Sequence, residues 1–454
     1  MDSTGDCKQT TPACHVVAMP FPGRGHINPM MNLCKLLASK KKDILITFVV
    51  TEEWLGFIGS DPKPDNIRFE TIPNVIPPER LKPTNFPAFY EAVMTKMEAP
   101  FEKLLDRLEL PVTAIIGDIE VRWSTGVGNQ RNIPVALLWT MSASVFSMFH
   151  YFDLHIKQNH AKIDLIVEQV DKIAGISQSN VEELRTIFHR DDHRVLELAL
   201  DCISRVPQAQ YLLFTSVYEF EPQVFDSLRA TYNFPVYTIG PAIPYLELEL
   251  RQGSCENKSY LQWLDSQQPG SVLYISLGSF LSVSNTQMDE IVAGLHMSGV
   301  RYLWVARGEA SRLKERCSED EGLVVAWCDQ LKVLCHPSIG GFWTHCGWNS
   351  ILEAVYAGVP MLTFPLFLDQ DTNSRQIVED WGNGWRVNSE KLVTGENVAQ
   401  LVRRLMDGES NEGKKIRRAA KQLHDKCVAA ISEGGSSAAN LDAFIKSISP
   451  GKGQ

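Results

Sequence analysis

The chain has 454 residues, of which 44% are hydrophobic and 22% charged, and its formal net charge is −10. That length exceeds one ordinary domain and suits two of roughly 200 residues each. The negative balance, with no Lys/Arg block beyond Lys40-Lys41-Lys42, argues against sequence-independent nucleic-acid binding, which needs a basic surface.

The polar N-terminus MDSTGDCKQTTPAC lacks the apolar core of roughly 7–15 residues that a signal peptide requires. No uninterrupted apolar run approaches a membrane span. Ten cysteines are scattered without C-x-x-C pairs. Cys328, Cys335 and Cys346 lie nearest one another but lack zinc-ligand spacing, so reduced structural thiols are expected. Without a secretory signal the sequon at Asn257 is read as idle. A soluble, cytoplasmic protein without bound metal is the expectation.

In chain order, CHVVAMP reads as a strand and is followed by a helix from about Ile27 to Ser39. DILITFVV, NIRFETI, a long amphipathic stretch near Pro87–Leu108, VTAIIGD and IPVALLW come next, then a helix after Thr140. Residues 152–206 are weakly periodic and fit either a passive helical insertion or a lid over a pocket. YLLFTS and FPVYTIG complete a strand–helix alternation typical of a doubly wound parallel sheet. The second half repeats that rhythm with SVLYISLG, a helix near Gln287–Ser298, VRYLWVA and GLVVAW. The prolines and polar tail of IGPAIPYLELELRQGSCENKS place a linker at 241–258, between domains 1–240 and 259–431.

The first strand ends in MPFPGRGHINP, where Gly23 and Gly25 permit a tight turn. Asn28 stands where a dinucleotide fingerprint would place glycine, and no G-K-[ST] follows, so neither nucleotide loop fits. His26 sits near the start of the next helix, whose positive end favours a neutral imidazole able to accept a proton. Its plainer role is a cap or solvated residue. Asp118 ends the strand TAIIG and emerges at the same sheet edge. It serves either as an N-cap or as the acid that orients His26 and stabilises its imidazolium.

Between Trp327 and Gln370 runs a segment dense in polyol- and phosphate-binding groups. SIGGFW reads as a short buried strand, THCGWNS as a polar turn, and ILEAVYAG as a helix ending on Gly358 ahead of Pro360. His345, Asn349 and Glu353 recur every four residues, so on one helix each lies about 40° from the last. They would form a polar stripe beginning at a helix N-terminus, an anion site by virtue of its free N–H groups. Glu353, acceptor-only when ionised, suits vicinal hydroxyls. VPMLTFPLF reads as another strand, which delivers Asp369 and Gln370 to the ligand-binding end of a sheet. Trp327, Trp343 and Trp348 are each either core or a flat face for a base.

This segment resembles the plant secondary product glycosyltransferase box of UDP-dependent glycosyltransferases, from its opening Trp to its closing Gln. The similarity extends over essentially the whole chain. The resemblance implies a GT-B fold, two facing Rossmann-like domains with substrates in the cleft, and last helices (about 432–454) that cross back to the N-terminal domain. It implies that Trp327 stacks on uracil with Gln330 beside it, that Glu353 grips the ribose, and that His345, Asn349 and Ser350 hold the diphosphate. Trp348, Asp369 and Gln370 would meet the sugar, with glucose favoured; Cys328 and Gly347 fall in the same donor-binding set. Thr140 matches a position that contacts the sugar across the cleft, its plainer role being a helix cap. Leu368 departs from the residue relatives often carry, and Arg24 stands where many carry Gln, there to meet an anionic acceptor or face solvent.

The resemblance also places the catalytic pair on His26 and Asp118. His26 would deprotonate an acceptor hydroxyl that displaces UDP with inversion, while the loop at Gly278 and Ser279 and the helix near His345 stabilise the leaving group. No cofactor is implied, since UDP-glucose is a co-substrate. Asp369-Gln-Asp371 matches the metal-binding D-x-D only literally. Phe86, Phe89, Trp123, Phe146, Phe149 and His150 are candidates for an apolar acceptor pocket, though each is equally a core residue. The expected partners are a UDP-sugar and a small lipophilic plant metabolite such as a flavonoid, phenolic, terpenoid or hormone, glucosylated at a hydroxyl or a carboxyl, with a monomeric enzyme. A nucleotide-sugar epimerase and a non-catalytic UDP-sugar binder are the competing readings.

Overall fold

Two parallel sheets carry the chain. The computed structural model describes residues 14–75, 86–159, 194–250, 259–278, 283–306, 309–317, 321–366, 369–387 and 392–449. The first sheet contains β1 (Cys14–Met19), β2 (Ile44–Thr51), β3 (Ile67–Ile72), β4 (Ala114–Asp118), β5 (Val135–Trp139), β6 (Tyr211–Phe214) and β7 (Val236–Thr238). Their spatial order is 3-2-1-4-5-6-7. The second contains β8 (Val272–Ser276), β9 (Arg301–Val305), β10 (Gly322–Val325), β11 (Ile339–Thr344), β12 (Met361–Thr363) and β13 (Gly384–Arg386), in the order 10-9-8-11-12-13.

Among the described residues every strand pairing is parallel, so helices cover both faces and the central strands are largely apolar, while the edge strand β3 carries Arg68 and Glu70. In β4, for example, Ile115 joins one core with Phe101 and Phe146, while Ile116 joins the opposite core with Leu33 and Phe444. A sheet in this order reverses direction at its first strand. The reversal opens a crevice beyond the strand C-termini, where α/β proteins bind ligands. The crevices lie between β1 and β4 in one sheet and between β8 and β11 in the other.

The helix predicted from Ile27 starts earlier, spanning Arg24–Lys40, which places His26 within its first turn. The amphipathic stretch near 87–108 is two helices, Phe86–Lys96 and Glu98–Arg107. The C-terminal helix Ser436–Ile448 lies on the first sheet, where Leu441, Phe444 and Ile448 enter a core with β1 and β2. Asn440 Nδ2 donates to Thr238 Oγ1 at 2.8 Å on the same face. The predicted insertion falls in part outside the described residues, as do the second half of the linker, the sequon, Ser279 and Leu368. Among the described residues no helix is long and apolar enough to cross a membrane.

Candidate active site

β1 and β4 are neighbours, with Met19 opposite Gly117. The residues that follow them therefore meet at the first crevice although they are far apart in sequence. His26 Nδ1–H donates to Asp118 Oδ2 at 2.9 Å, and Thr140 Oγ1, just beyond β5, lies 3.2 Å from the same nitrogen. Asp118 is only 2% exposed and His26 19%. Asp118 is not a helix cap: the next helix begins at Ser124, and Asp118 Oδ1 instead accepts from the Glu120 N–H at 3.0 Å. Thr140 does not cap the helix after β5 either. Glu221 does, accepting from the N–H groups of Ala143 and Ser144.

With Nδ1 committed to Asp118, Nε2 is the ring atom that can exchange a proton with a substrate. Glu120 Oε2 stands 3.7 Å from it. Sequence reasoning missed Glu120, because the direction of a side chain in a turn is not written in its spacing. The neutral imidazole expected from the helix start is also corrected. Burial would lower the His26 pKa, but the Asp118 and Glu120 carboxylates outweigh it and hold it up at about 9. Burial raises Glu120 to about 7.

The aromatic candidates divide. Phe86 stacks on Tyr90, while Phe21 contacts Phe89, Tyr90 and the His26 ring, at 5.0 Å from the last. These rings form a largely buried wall beside His26, in the same core cluster as the others, and Phe86 alone among them is partly exposed. Trp123, Phe146 and His150 are bound into that core by other partners. Trp123 donates Nε1–H to Val93 O and packs on Phe101; Phe146 is wedged against Trp139 and Phe214; His150 Nδ1 meets the Tyr232 hydroxyl at 3.0 Å. Phe149 belongs to the same buried cluster. Arg24 does not simply face solvent: its guanidinium lies over the Trp54 ring, 5.8 Å from its centroid.

The second crevice is built the same way. Ser276 of β8 lies opposite Thr344 of β11, so Gly278 and His345 become neighbours. Gly278 has φ +93°, and a Cβ there would sit 3.0 Å from the His345 ring; only glycine suits this loop. His345 is not on the helix. Cys346 takes φ +70°, so the turn H-C-G delays the helix until Trp348. Such a conformation costs a non-glycine residue about 1–2 kcal/mol. It is held by Thr344 Oγ1, which accepts from Cys346 N, and by Asn373 Nδ2, which donates to Cys346 O. Burial lowers His345 to about 4, which keeps it neutral.

The predicted polar stripe thus shortens to Asn349 and Glu353, with Ser350 beside them, on the helix Trp348–Ala357, which ends on Gly358 at φ +70°. Gln330 Nε2 donates to Glu353 Oε2 at 2.7 Å and to Ser350 Oγ at 3.0 Å, while Tyr274 hydroxyl donates to Gln330 Oε1. Gln330 is therefore a clamp on the carboxylate. Burial raises Glu353 to about 7. Trp327 leaves 53% of its surface exposed, whereas Trp343 is fully buried and Trp348 is 3% exposed and packs on Trp381. The Trp348 side chain is thus mainly core, with Gly347 as the helix N-cap beside it. Cys328 is buried beneath Tyr274, and Cys335 is exposed at the end of the short helix Gln330–Leu334.

Asp369 immediately precedes the helix Gln370–Arg375 without capping it through its side chain, and it accepts from Asn373 Nδ2 at 2.7 Å; burial lifts it to about 6. Gln370 Oε1 accepts from Leu366 N. Asp371 turns away to pair with Arg386, so the two carboxylates of D-x-D are engaged separately. The two crevices face each other. Asn349 Nδ2 donates to Gly25 O at 2.8 Å across the cleft, and Asp369 acts electrostatically on both His26 and Glu120.

A profile of the family described as "UDP-glucoronosyl and UDP-glucosyl transferase" matches residues 246–432. UDP-glycosyltransferase 87A2 of Arabidopsis thaliana is 51% identical over 440 residues, covering 96% of each chain. The 7-deoxyloganetin glucosyltransferase of Catharanthus roseus is 33% identical over 481 residues, covering 95% of this chain and 96% of that one. Among solved structures, Os79 from O. sativa in complex with U2F and trichothecene superposes with a TM-score of 0.83 at 25% identity. That match covers 96% of this chain and all of the other.

Proposed function

The chain belongs to the plant-type UDP-glycosyltransferases, enzymes of GT-B fold, and from that premise we propose that it is an inverting, metal-independent glucosyltransferase. UDP-glucose is the donor, and the acceptor is a hydroxyl of a small, largely apolar metabolite. One observation carries this reading. The His26–Asp118 pair at one crevice faces the helix start, Glu353 and Asp369 at the other, so a proton acceptor and a UDP-sugar cradle share one cleft.

The chemistry follows from the geometry. His26 Nε2 takes the proton of the acceptor hydroxyl as its oxygen bonds to the anomeric carbon. The bond from that carbon to the phosphate oxygen breaks, and its electron pair leaves with UDP. Asp118, fixed to Nδ1–H, stabilises the imidazolium that forms. The N–H groups at the start of the helix Trp348–Ala357 suit the diphosphate, and Glu353, aimed by Gln330, suits the ribose hydroxyls. The exposed Trp327 face suits uracil. Attack from the side of His26, opposite the diphosphate cradle, inverts the anomeric centre.

The test is incubation with UDP-glucose or UDP-galactose and a panel of small aromatic and terpenoid alcohols, read by mass spectrometry. Glucosides of β configuration are expected, with galactosides much rarer. A new UDP-sugar formed without acceptor, or binding of UDP-glucose with no transfer to any member, would replace this reading.

A further inference from the structure

Three carboxylates surround one imidazole. Asp118 serves Nδ1, Asp369 approaches from across the cleft, and Glu120 stands at Nε2, the atom assigned to the acceptor's proton. Glu120 is held there by its own backbone. Its N–H donates to Asp118 Oδ1, closing a turn directly after β4 that carries the side chain around the imidazole. The carboxylate is 15% exposed and borders the Tyr90 hydroxyl and the aromatic wall. At 3.7 Å from Nε2 it is beyond hydrogen-bond length, so the contact with His26 is electrostatic.

When the acceptor hydroxyl occupies Nε2, His26 must be neutral to receive its proton, and Glu120 loses the cation beside it. The Tyr90 hydroxyl is one donor beside this carboxylate, and the oxygen facing Nε2 keeps acceptor capacity for a second. The oxygen and the nitrogen, 3.7 Å apart, present a two-point contact that two adjacent hydroxyls can meet together. One hydroxyl gives its proton to Nε2 while its neighbour donates to Oε2. A carboxylate at the same place would face Asp118, Glu120 and Asp369 together.

We propose that Glu120 is a specificity-determining residue, selecting acceptors with a second hydroxyl adjacent to the reacting one and rejecting acceptors that bear a carboxylate there. This rests on His26 being the base, and it extends that assignment to the chemical class of the acceptor.

The experiment compares kcat/KM for an ortho-diphenol, its monomethyl ether and the corresponding benzoic acid in wild type, Glu120→Gln and Glu120→Ala. UDP binding to each variant serves as the check on folding. Wild type should prefer the diphenol over the ether by at least about tenfold, the scale of one hydrogen bond to a charged group. The ratio should fall to within about threefold in Glu120→Ala, lie between in Glu120→Gln, and be accompanied by a gain on the benzoic acid in both. A ratio near one in wild type, or one unchanged by either substitution, overturns the proposal. So does loss of transfer to both phenols in variants that still bind UDP, since Glu120 would then act in proton transfer itself. A wild-type enzyme that transfers to no hydroxyl at all, or a His26→Ala variant that retains transfer, would instead refute the parent reading.

Discussion

Asn349 Nδ2 donates a hydrogen bond to Gly25 O at 2.8 Å, joining residues 324 positions apart and on opposite lips of the cleft. Gly25 precedes His26, and Asn349 is the second residue of the helix Trp348–Ala357. The bond therefore couples the helix start that carries the base to the helix start that suits the diphosphate. Asn349→Ala should raise the KM for UDP-glucose and lower kcat, with kcat/KM falling by about two- to tenfold in all, as expected for one neutral hydrogen bond. Steady-state kinetics with varied donor read both. A rise in KM with kcat untouched would make Asn349 a donor contact without a role in closure.

The pH dependence follows from the charges around His26. Asp118, Glu120 and Asp369 favour the imidazolium and hold its pKa at about 9, yet the base must be neutral to act. At pH 7 about one molecule in a hundred carries the neutral ring. kcat/KM should thus climb with pH and level off near 9. Glu120→Gln removes one of the raising charges, so its rising limb should move to lower pH. The same limb in both enzymes would remove Glu120 from the electrostatics of the base.

His26, Asp118 and Glu120 each bring a possible ligand atom, all within 4.8 Å of one another. The direct 2.9 Å hydrogen bond from Nδ1 to Asp118 commits that nitrogen to a proton. Extended dialysis against a chelator should leave the rate unchanged. Loss of activity, restored by a divalent cation, would make the three residues a metal site.

Several parts of this site are legible in the sequence for one physical reason. His26, Asp118, Gly278 and His345 follow strand ends, and in a parallel sheet every strand end of one polarity lies on the same edge. Strand order then selects which ends meet, and adjacent pairing of β1 with β4 and of β8 with β11 does so here. Side-chain direction is less accessible. His345 looks helical by spacing, but the left-handed Cys346 moves the helix start past it. Trp123, Phe146 and His150 come after strands β4 and β5 as the catalytic pair comes at strand ends, and only the packed structure shows them buried in the core. Glu120 is hidden for the converse reason: a charged residue in a turn is usually solvated, and its approach to Nε2 depends on the turn closed by Asp118.

Gly278 offers a test of the donor cradle that does not touch the base. Its φ of +93° is strained for any residue with a side chain, and an added Cβ would lie 3.0 Å from the His345 ring. The ring cannot easily give way, because it is buried against the turn that starts the helix, where a Cβ on Gly347 would meet it at 2.6 Å. Gly278→Ala should therefore displace the loop or His345, costing about 1–2 kcal/mol of stability from backbone strain alone. UDP affinity should fall about tenfold or more, while the pH at which His26 titrates stays where it is. Calorimetry of UDP binding beside the pH–rate profile separates the two effects. Unchanged UDP affinity would remove the Gly278 loop from the donor site, and a shifted profile would mean that the two crevices are more tightly coupled than the single Asn349–Gly25 bond implies.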